Sequence, residues 1–175
     1  MLIFLFGLIF ILVASYAYAG FSAAPWVPCR SADTKRICDL AKICPSDTVI
    51  ELGCGDGRIL AAAARRGARC IGYEISILPY LIARIRAQLT PAPYPRPKIL
   101  LRSFWSTDIS VATVVIIFLM PAVYKKLSEK LLREAAPGTR IIFYVWPMRE
   151  WQPVQIDKPS GRPALYLYEI PNQPK

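Results

Sequence analysis

At 175 residues, 54% of them hydrophobic, the chain has room for one compact domain and carries more apolar surface than such a domain needs. Its 22 Lys and Arg against 12 Asp and Glu leave a formal charge of +10, which suits anionic partners, whether lipid headgroups or nucleic acid, as well as simple solubility. The absence of histidine excludes Cys-His and Ser-His-Asp catalysis, and five cysteines without a C-x-x-C pair suggest a reducing compartment, no disulfide framework and no metal site.

The excess of apolar residues sits at the front. Leu2 to Ala19 carries no charge, and the first charged side chain is Arg30, so residues 1–23 are long enough to reach across about 30 Å of hydrocarbon. Ala17-Tyr18-Ala19 has the small-x-small form of a signal cleavage site. The segment nevertheless lacks a basic n-region, and its apolar core exceeds the usual h-region, which favours an uncleaved single-pass anchor. Arg30, Lys35 and Arg36 then place the remaining chain on the cytoplasmic side. The whole positive charge belongs to that remainder, and an anionic lipid surface is an expected partner.

Residues 24–30 read as a Pro-bounded linker, and residues 31–175 as the domain proper. Ser31 is expected to cap a helix whose apolar face is Ile37, Leu40, Ala41 and Cys44. Thr48–Leu52 reads as a buried strand, followed by a glycine turn and a helix over Arg58–Arg66 that Gly67 closes. Arg69–Glu74 is a second strand. Ser76 caps a helix whose inward face is expected to be Leu78, Leu81, Ile82, Ile85 and Leu89. Beyond the stiff connection Pro91–Pro97, Lys98–Leu101 is a third strand, and Ala112–Leu119 is a fourth, apolar enough to be central. The Pro121–Ala136 pattern predicts a helix with Val123, Leu127 and Leu131 inward and Glu129 paired with Arg133 outward. Arg140–Val145 is a fifth strand, and Val154–Asp157 with Ala164–Ile170 a closing hairpin. Strand and helix alternating in this way define a doubly wound α/β sheet, mostly parallel with an antiparallel C-terminal pair, whose ligand site lies at the carboxyl ends of the first strands.

In "VIELGCGDGRIL" three glycines, 53, 55 and 57, stand at alternate positions where the first strand turns into a helix, so a ligand can rest on bare backbone at a helix N-terminus. A dinucleotide fingerprint would space them G-x-G-x-x-G around a pyrophosphate. Here the third glycine comes one residue early, and Asp56 adds a negative charge that suits a ligand bearing an ammonium group beside its carboxylate. Glu74 ends the second strand about twenty residues further on, where an acidic side chain accepts hydrogen bonds from ribose hydroxyls. Ribose joined to a zwitterionic amino acid describes S-adenosylmethionine.

In "ELGCGDGR" and "GYEIS" the sequence resembles the class I S-adenosylmethionine-dependent methyltransferases, with a Rossmann-like fold. "PWVPC", "FLMP", "PGTR" and "WPMREWQP" are similar to segments of the small archaeal and mitochondrial-type protein-lysine methyltransferases, whose mitochondrial members modify the adenine nucleotide translocase and the c-subunit of ATP synthase. The resemblance spans Pro25 to Ile170. It implies cofactor cover from Pro25, Trp26, Val27 and Pro28, and contacts along the turn from Glu51, Gly53, Cys54, Gly55, Asp56 and Gly57. It further implies ribose contacts at Glu74 and Ile75 and an adenine border at Ser103, Phe104 and Trp105, Ser103 standing where the family commonly has an acidic residue. Phe118, Leu119, Pro121 and Trp146 are candidates for the substrate slot; no catalytic side chain is assigned. Phe118 and Trp151 read equally well as packing groups or substrate contacts. Cys54 reads as a small filler, because methyl transfer from a sulfonium needs no covalent intermediate.

The partner so implied is a protein with an accessible lysine, membrane-embedded in the mitochondrial cases. At pH 7 deprotonating an amine of pKa about 10.4 costs about 4–5 kcal/mol, which desolvation beside a cationic sulfonium reduces; orientation supplies the rest. Other readings are a nucleic-acid methyltransferase, a small-molecule or lipid methyltransferase, and an inactive cofactor-binding module on the membrane. The first would usually show Asn/Asp-Pro-Pro-aromatic where "FLMP" stands.

Overall fold

A computed structural model describes residues 1–171; the last four residues of the expected 31–175 domain lie outside the described residues. The elements are α1 (Leu2–Ser22), α2 (Ser31–Leu40), β1 (Thr48–Leu52), α3 (Arg58–Ala64), β2 (Arg69–Glu74) and α4 (Ile77–Gln88). They continue with β3 (Lys98–Leu101), β4 (Val114–Ile117), α5 (Tyr124–Glu134), β5 (Arg140–Tyr144), β6 (Gln155–Asp157) and β7 (Leu165–Glu169). The seven strands form one sheet in the order β3-β2-β1-β4-β5-β7-β6. Neighbours from β3 to β5 run parallel, while β7 lies antiparallel to both β5 and β6. This is the class I methyltransferase α/β fold.

The sheet forms where the apolar runs demand it. All of β4 and all but the first residue of β1 are buried, because helices cover both faces of a parallel sheet and leave no strand position facing water. One core gathers Ile37, Val49, Leu60, Ile116 and Ile142; the other, across the sheet, gathers Ile50, Leu52, Val115, Ile117, Leu127, Leu131 and Tyr168. Chain order reverses between β1 and β4, which opens a crevice at their carboxyl ends.

Where β2 crosses beneath the glycine turn, packing is tightest at Gly72. A Cβ there would lie 2.5 Å from Leu60 Cδ1 and 2.7 Å from Cys54 Sγ, and both side chains are buried. Gly72→Ala is therefore expected to lower stability by about 1–3 kcal/mol through overpacking, read as a reduced midpoint in denaturant unfolding of the detergent-solubilised chain.

Several local expectations are corrected. Arg30, not Ser31, is the N-cap of α2, and it accepts the Asp33 N–H through its backbone carbonyl. Ile37, Leu40 and Ala41 are buried as expected, but α2 ends at Leu40 and Cys44 lies beyond it, exposed. Ser76 does occupy the N-cap of α4, although its hydroxyl caps nothing. Pro121–Val123 forms a short 3-10 turn before α5, which buries Leu127 and Leu131. The carboxylate of Glu134, rather than Glu129, pairs with Arg133 at 2.7 Å and with the buried Lys130 at 2.5 Å, because Lys130 points inward and also donates to the Thr107 carbonyl.

Helix α4 departs furthest from its expected orientation. Its inward face is Pro79, Ala83 and Ala87, while Leu78, Leu81, Ile85 and Leu89 look outward with 51, 48, 59 and 74% of their surface exposed and Ile82 is half-buried. Small residues let the helix approach the glycine turn, where a Cβ on Gly57 would stand 3.1 Å from Ala83 Cβ. Leucines facing inward would hold α4 away. Helix α1 is apolar and long enough to cross a membrane, and almost all of it is exposed, so it is not a core helix of the domain.

Candidate active site

The turn after β1 is built from glycines because its backbone requires them. Gly53, Gly55 and Gly57 all have positive φ, at +77, +52 and +71°, a region costly for any residue with a Cβ. Gly53 and Cys54 both donate their N–H to the Tyr73 carbonyl, which ties the turn to β2. At the end of β2, Glu74 secures the turn from its other side. Its Oε2 accepts the Gly55 N–H at 2.8 Å, while Oε1 accepts the N–H groups of Ile75 and Ser76 at 2.9 and 2.8 Å, fixing the bend that leads from β2 into α4.

A cavity opens over this turn. Pro25, Trp26, Val27 and Pro28 form one wall; Glu51, Gly53, Cys54, Gly55 and Asp56 form the floor; Glu74, Ile75 and Phe104 line the side toward β2 and β3. Phe118, Leu119 and Trp146 line the opposite end, with Phe118 and Trp146 stacked at 6.1 Å. Of the residues expected here, Gly57, Ser103, Trp105 and Pro121 are not in the lining. Gly57 is the N-cap of α3, turned toward Ala83. The Ser103 hydroxyl accepts the Trp105 N–H, and the Trp105 ring faces the ammonium of Lys126 at 4.4 Å. Pro121 begins the turn leading into α5.

The carboxylates divide the work differently from expectation. Asp56 is clamped by Arg58, which bonds both its oxygens, and by Arg86, at 2.6 and 2.9 Å. Burial, the largest influence, pushes the Asp56 carboxyl up, but the bonds and charges of the two guanidiniums outweigh it and hold it below its ordinary value. With both oxygens taken by cations, it is not a free acceptor for a ligand ammonium. Arg58 also donates to the Cys29 carbonyl at 2.6 Å, so one clamp joins turn, linker and α4. Glu51 is the opposite case. It is buried, its Oε2 has no partner, and burial, reinforced by the charges of Asp56 and Glu74, raises its carboxyl well above the usual range. Cys54 is likewise pushed far up by burial and then by Glu51 and Glu74, so its thiol stays protonated and serves as packing.

Sequence reasoning missed Arg86, Arg102, Ser76 and the contribution of α1, whose Ala19, followed by Ala23, lines the cavity. Ser76, two residues past Glu74 in "GYEIS", and Arg58, two residues past Asp56 in "GDGR", left local signals; Arg86 lies thirty residues from Asp56 along the chain.

Among the described residues, the buried polar side-chain atoms without a hydrogen-bond partner are Trp26 Nε1, Glu51 Oε2 and Ser76 Oγ, and all three residues line this cavity. Leaving such a group unpaired costs about 1–3 kcal/mol, so their convergence marks a place kept for a polar ligand. The set fits S-adenosylmethionine. Glu51 would take the ammonium, Ser76 and Glu74 the ribose hydroxyls, and Trp26 would donate to an acceptor at the covered end.

Fold and site together define a class I S-adenosylmethionine-dependent methyltransferase. A solved RNA methyltransferase from Salinibacter ruber in complex with S-adenosyl-L-homocysteine superposes with a TM-score of 0.79 at 32% identity, covering 85% of this chain and 97% of that one. The chain belongs to the ANTKMT methyltransferase domain family, whose model matches residues 51–155. It is 34% identical over 155 residues to a protein-lysine N-methyltransferase of Saccharolobus islandicus, covering 83% of this chain and 93% of that protein. It is 32% identical over 149 residues to the human lysine N-methyltransferase of the ATP synthase c-subunit, covering 83% of this chain and 61% of that protein.

Proposed function

We propose that the enzyme methylates the side-chain amine of a lysine in a protein, and that α1 holds it in a membrane with the domain on the cytoplasmic side. When bound, S-adenosylmethionine supplies an electrophilic methyl group. The single observation that carries the reading is the character of the cavity end beyond the three unpaired polar atoms. Phe118, Leu119 and Trp146 form an apolar, aromatic wall, with Tyr144 edge-on to Phe118 at 4.6 Å. Such a wall strips water from an incoming alkylammonium and favours its neutral, nucleophilic form.

Proton removal falls to solvent rather than to a side chain. Of the lining carboxylates, Glu51 is given to the cofactor ammonium, Asp56 is ion-paired and Glu74 is engaged by three backbone donors. The Tyr144 hydroxyl donates to Asp33 at 2.8 Å, and burial with that bond raises it to about 12, too weak an acid to exchange protons near neutrality. The lysine specificity of the archaeal and human relatives supports the same acceptor.

A second reading is RNA methylation, favoured by the Salinibacter neighbour's designation and by the charge of +10. Tritiated methyl transfer from S-adenosylmethionine to fractionated native membranes separates the two. Label is expected in protein, as methyl-lysine after acid hydrolysis. Label confined to RNA would replace the lysine reading.

A further inference from the structure

We infer that the outward face of α4 is a lipid-contact surface, lying in the headgroup and acyl boundary of an anionic bilayer beside α1; the inference rests on the reading of α1 as a membrane helix. Leu78, Leu81, Ile85 and Leu89 recur at helical spacing on one side of α4, each about half exposed or more, while the opposite side is already satisfied by Pro79, Ala83 and Ala87. This is an amphipathic helix turned inside out: its small residues face the protein and its large apolar ones face outward.

Three observations identify lipid as the occupant. The first is position. Helix α1 packs against α4, and the Ser15 hydroxyl oxygen stands 3.5 Å from the Ile77 N–H. Ser15 precedes the end of α1 at Ser22 by seven residues, a rise of about 10 Å at 1.5 Å per residue. The start of α4 therefore lies alongside the apolar helix and not beyond it. That offset matches the roughly 5–10 Å to which interfacial helices sink their apolar faces.

The second is charge. From Ile75 to Thr107 there is no carboxylate, and the same stretch carries five cations, Arg84, Arg86, Arg96, Lys98 and Arg102. Arg86 is committed to Asp56, but Arg84, Arg96, Lys98 and Arg102 are exposed, as basic residues beside a headgroup layer need to be. The third is continuity. Strand β3 packs against α4 at the sheet edge and exposes Leu101 beside Arg102, extending the same mixture of apolar and basic groups.

The test uses the full chain with its exposed Cys44 replaced by serine, carrying a nitrobenzoxadiazole label on one new cysteine at a time: Ile85→Cys on α4, Phe10→Cys on α1, and the exposed Ser160→Cys in the β6–β7 hairpin at the sheet edge opposite β3. Each is reconstituted in phosphatidylcholine–phosphatidylserine vesicles and quenched by iodide from water or by lipids with brominated acyl chains. The expected result is several-fold weaker iodide quenching at positions 85 and 10 than at 160, with brominated-lipid quenching at 85 and 10 only. Omitting phosphatidylserine should raise iodide access at 85 and leave 10 unchanged. Lipid quenching at 10 with free iodide access at 85 overturns this inference and leaves the membrane reading standing. Free iodide access at both sites overturns both. Protection at 85 without lipid quenching overturns it in favour of a protein covering, such as a second copy. Equal protection at 85 with and without phosphatidylserine overturns the anionic preference.

Discussion

Replacing Glu51 by glutamine is expected to weaken S-adenosylmethionine binding by about two orders of magnitude and, at the same time, to raise the melting temperature of the cofactor-free protein. The first effect follows from the loss of the buried, charge-assisted hydrogen bond that Glu51 would make to the ligand ammonium, worth about 2–3 kcal/mol. The second follows from the sign of the Glu51 shift. Burial, then the charges of Asp56 and Glu74, raises this carboxyl well above its ordinary value in the folded chain. A carboxyl so raised favours folding while it is protonated, and that contribution is lost as pH climbs from the unfolded value through the folded one. At neutral pH the wild-type side chain thus works against the fold, and a neutral isostere removes the burden. Ligand ammonium stabilises the carboxylate, so binding below the raised pKa expels a proton. Wild-type affinity should therefore rise with pH up to that value, while Glu51→Gln should be flat. Calorimetric titrations across a pH series, paired with thermal unfolding of the full chain in detergent, read both effects. A variant that loses stability and affinity together would make Glu51 a structural residue.

What could be read from the residues alone divides along physical lines. β1, β2 and β3 coincide with the spans their apolar runs predict, since a parallel strand buried on both faces leaves a continuous hydrophobic signature bounded by turn residues. The glycine turn and Glu74 are legible for a similar reason: positive φ and close backbone approach admit few residue types. The orientation of α4 was not legible. Periodicity reports that Leu78, Leu81, Ile85 and Leu89 share a face, but it cannot say whether protein or something else covers that face. The decisive fact, that Gly57 needs a small partner in Ala83, is a contact across twenty-six residues. The pairing of Asp56 is hidden for the same reason. Its charge was visible; the guanidinium of Arg86 that neutralises part of it arrives from the following helix, and no local spacing announces it. With Asp56 occupied, the unpaired Glu51 is the carboxylate that would take the role the residues by themselves suggest for Asp56.

Gly55→Arg is expected to abolish methyl transfer while leaving the chain folded. Both parts rest on what surrounds Gly55. Its φ of +52° admits a larger residue at about 1–3 kcal/mol of backbone strain. A Cβ there would meet Trp26 Nε1 at 2.7 Å and Cδ1 at 2.8 Å, with only a more distant atom of the same indole otherwise within 4 Å. The obstacle is one side chain of the linker, half-buried and outside the sheet core. Trp26 can swing away, leaving the strands undisturbed, whereas the neighbours of Gly72 are locked in the core. The arginine then occupies the floor of the cavity, sets a cation near Glu51 in place of the ligand ammonium, and removes the wall that Trp26 provides. Far-ultraviolet circular dichroism and denaturant unfolding should show a folded chain, and calorimetry no detectable cofactor binding. Gly55→Ala should fall between, with the indole displaced and affinity reduced about ten-fold, because one methyl group fills far less of the floor than a guanidinium chain. A Gly55→Arg enzyme that still binds cofactor and methylates protein would mean that the ligand does not lie across this turn, and the ligand-binding roles of Glu51, Ser76 and Trp26 would fall with it.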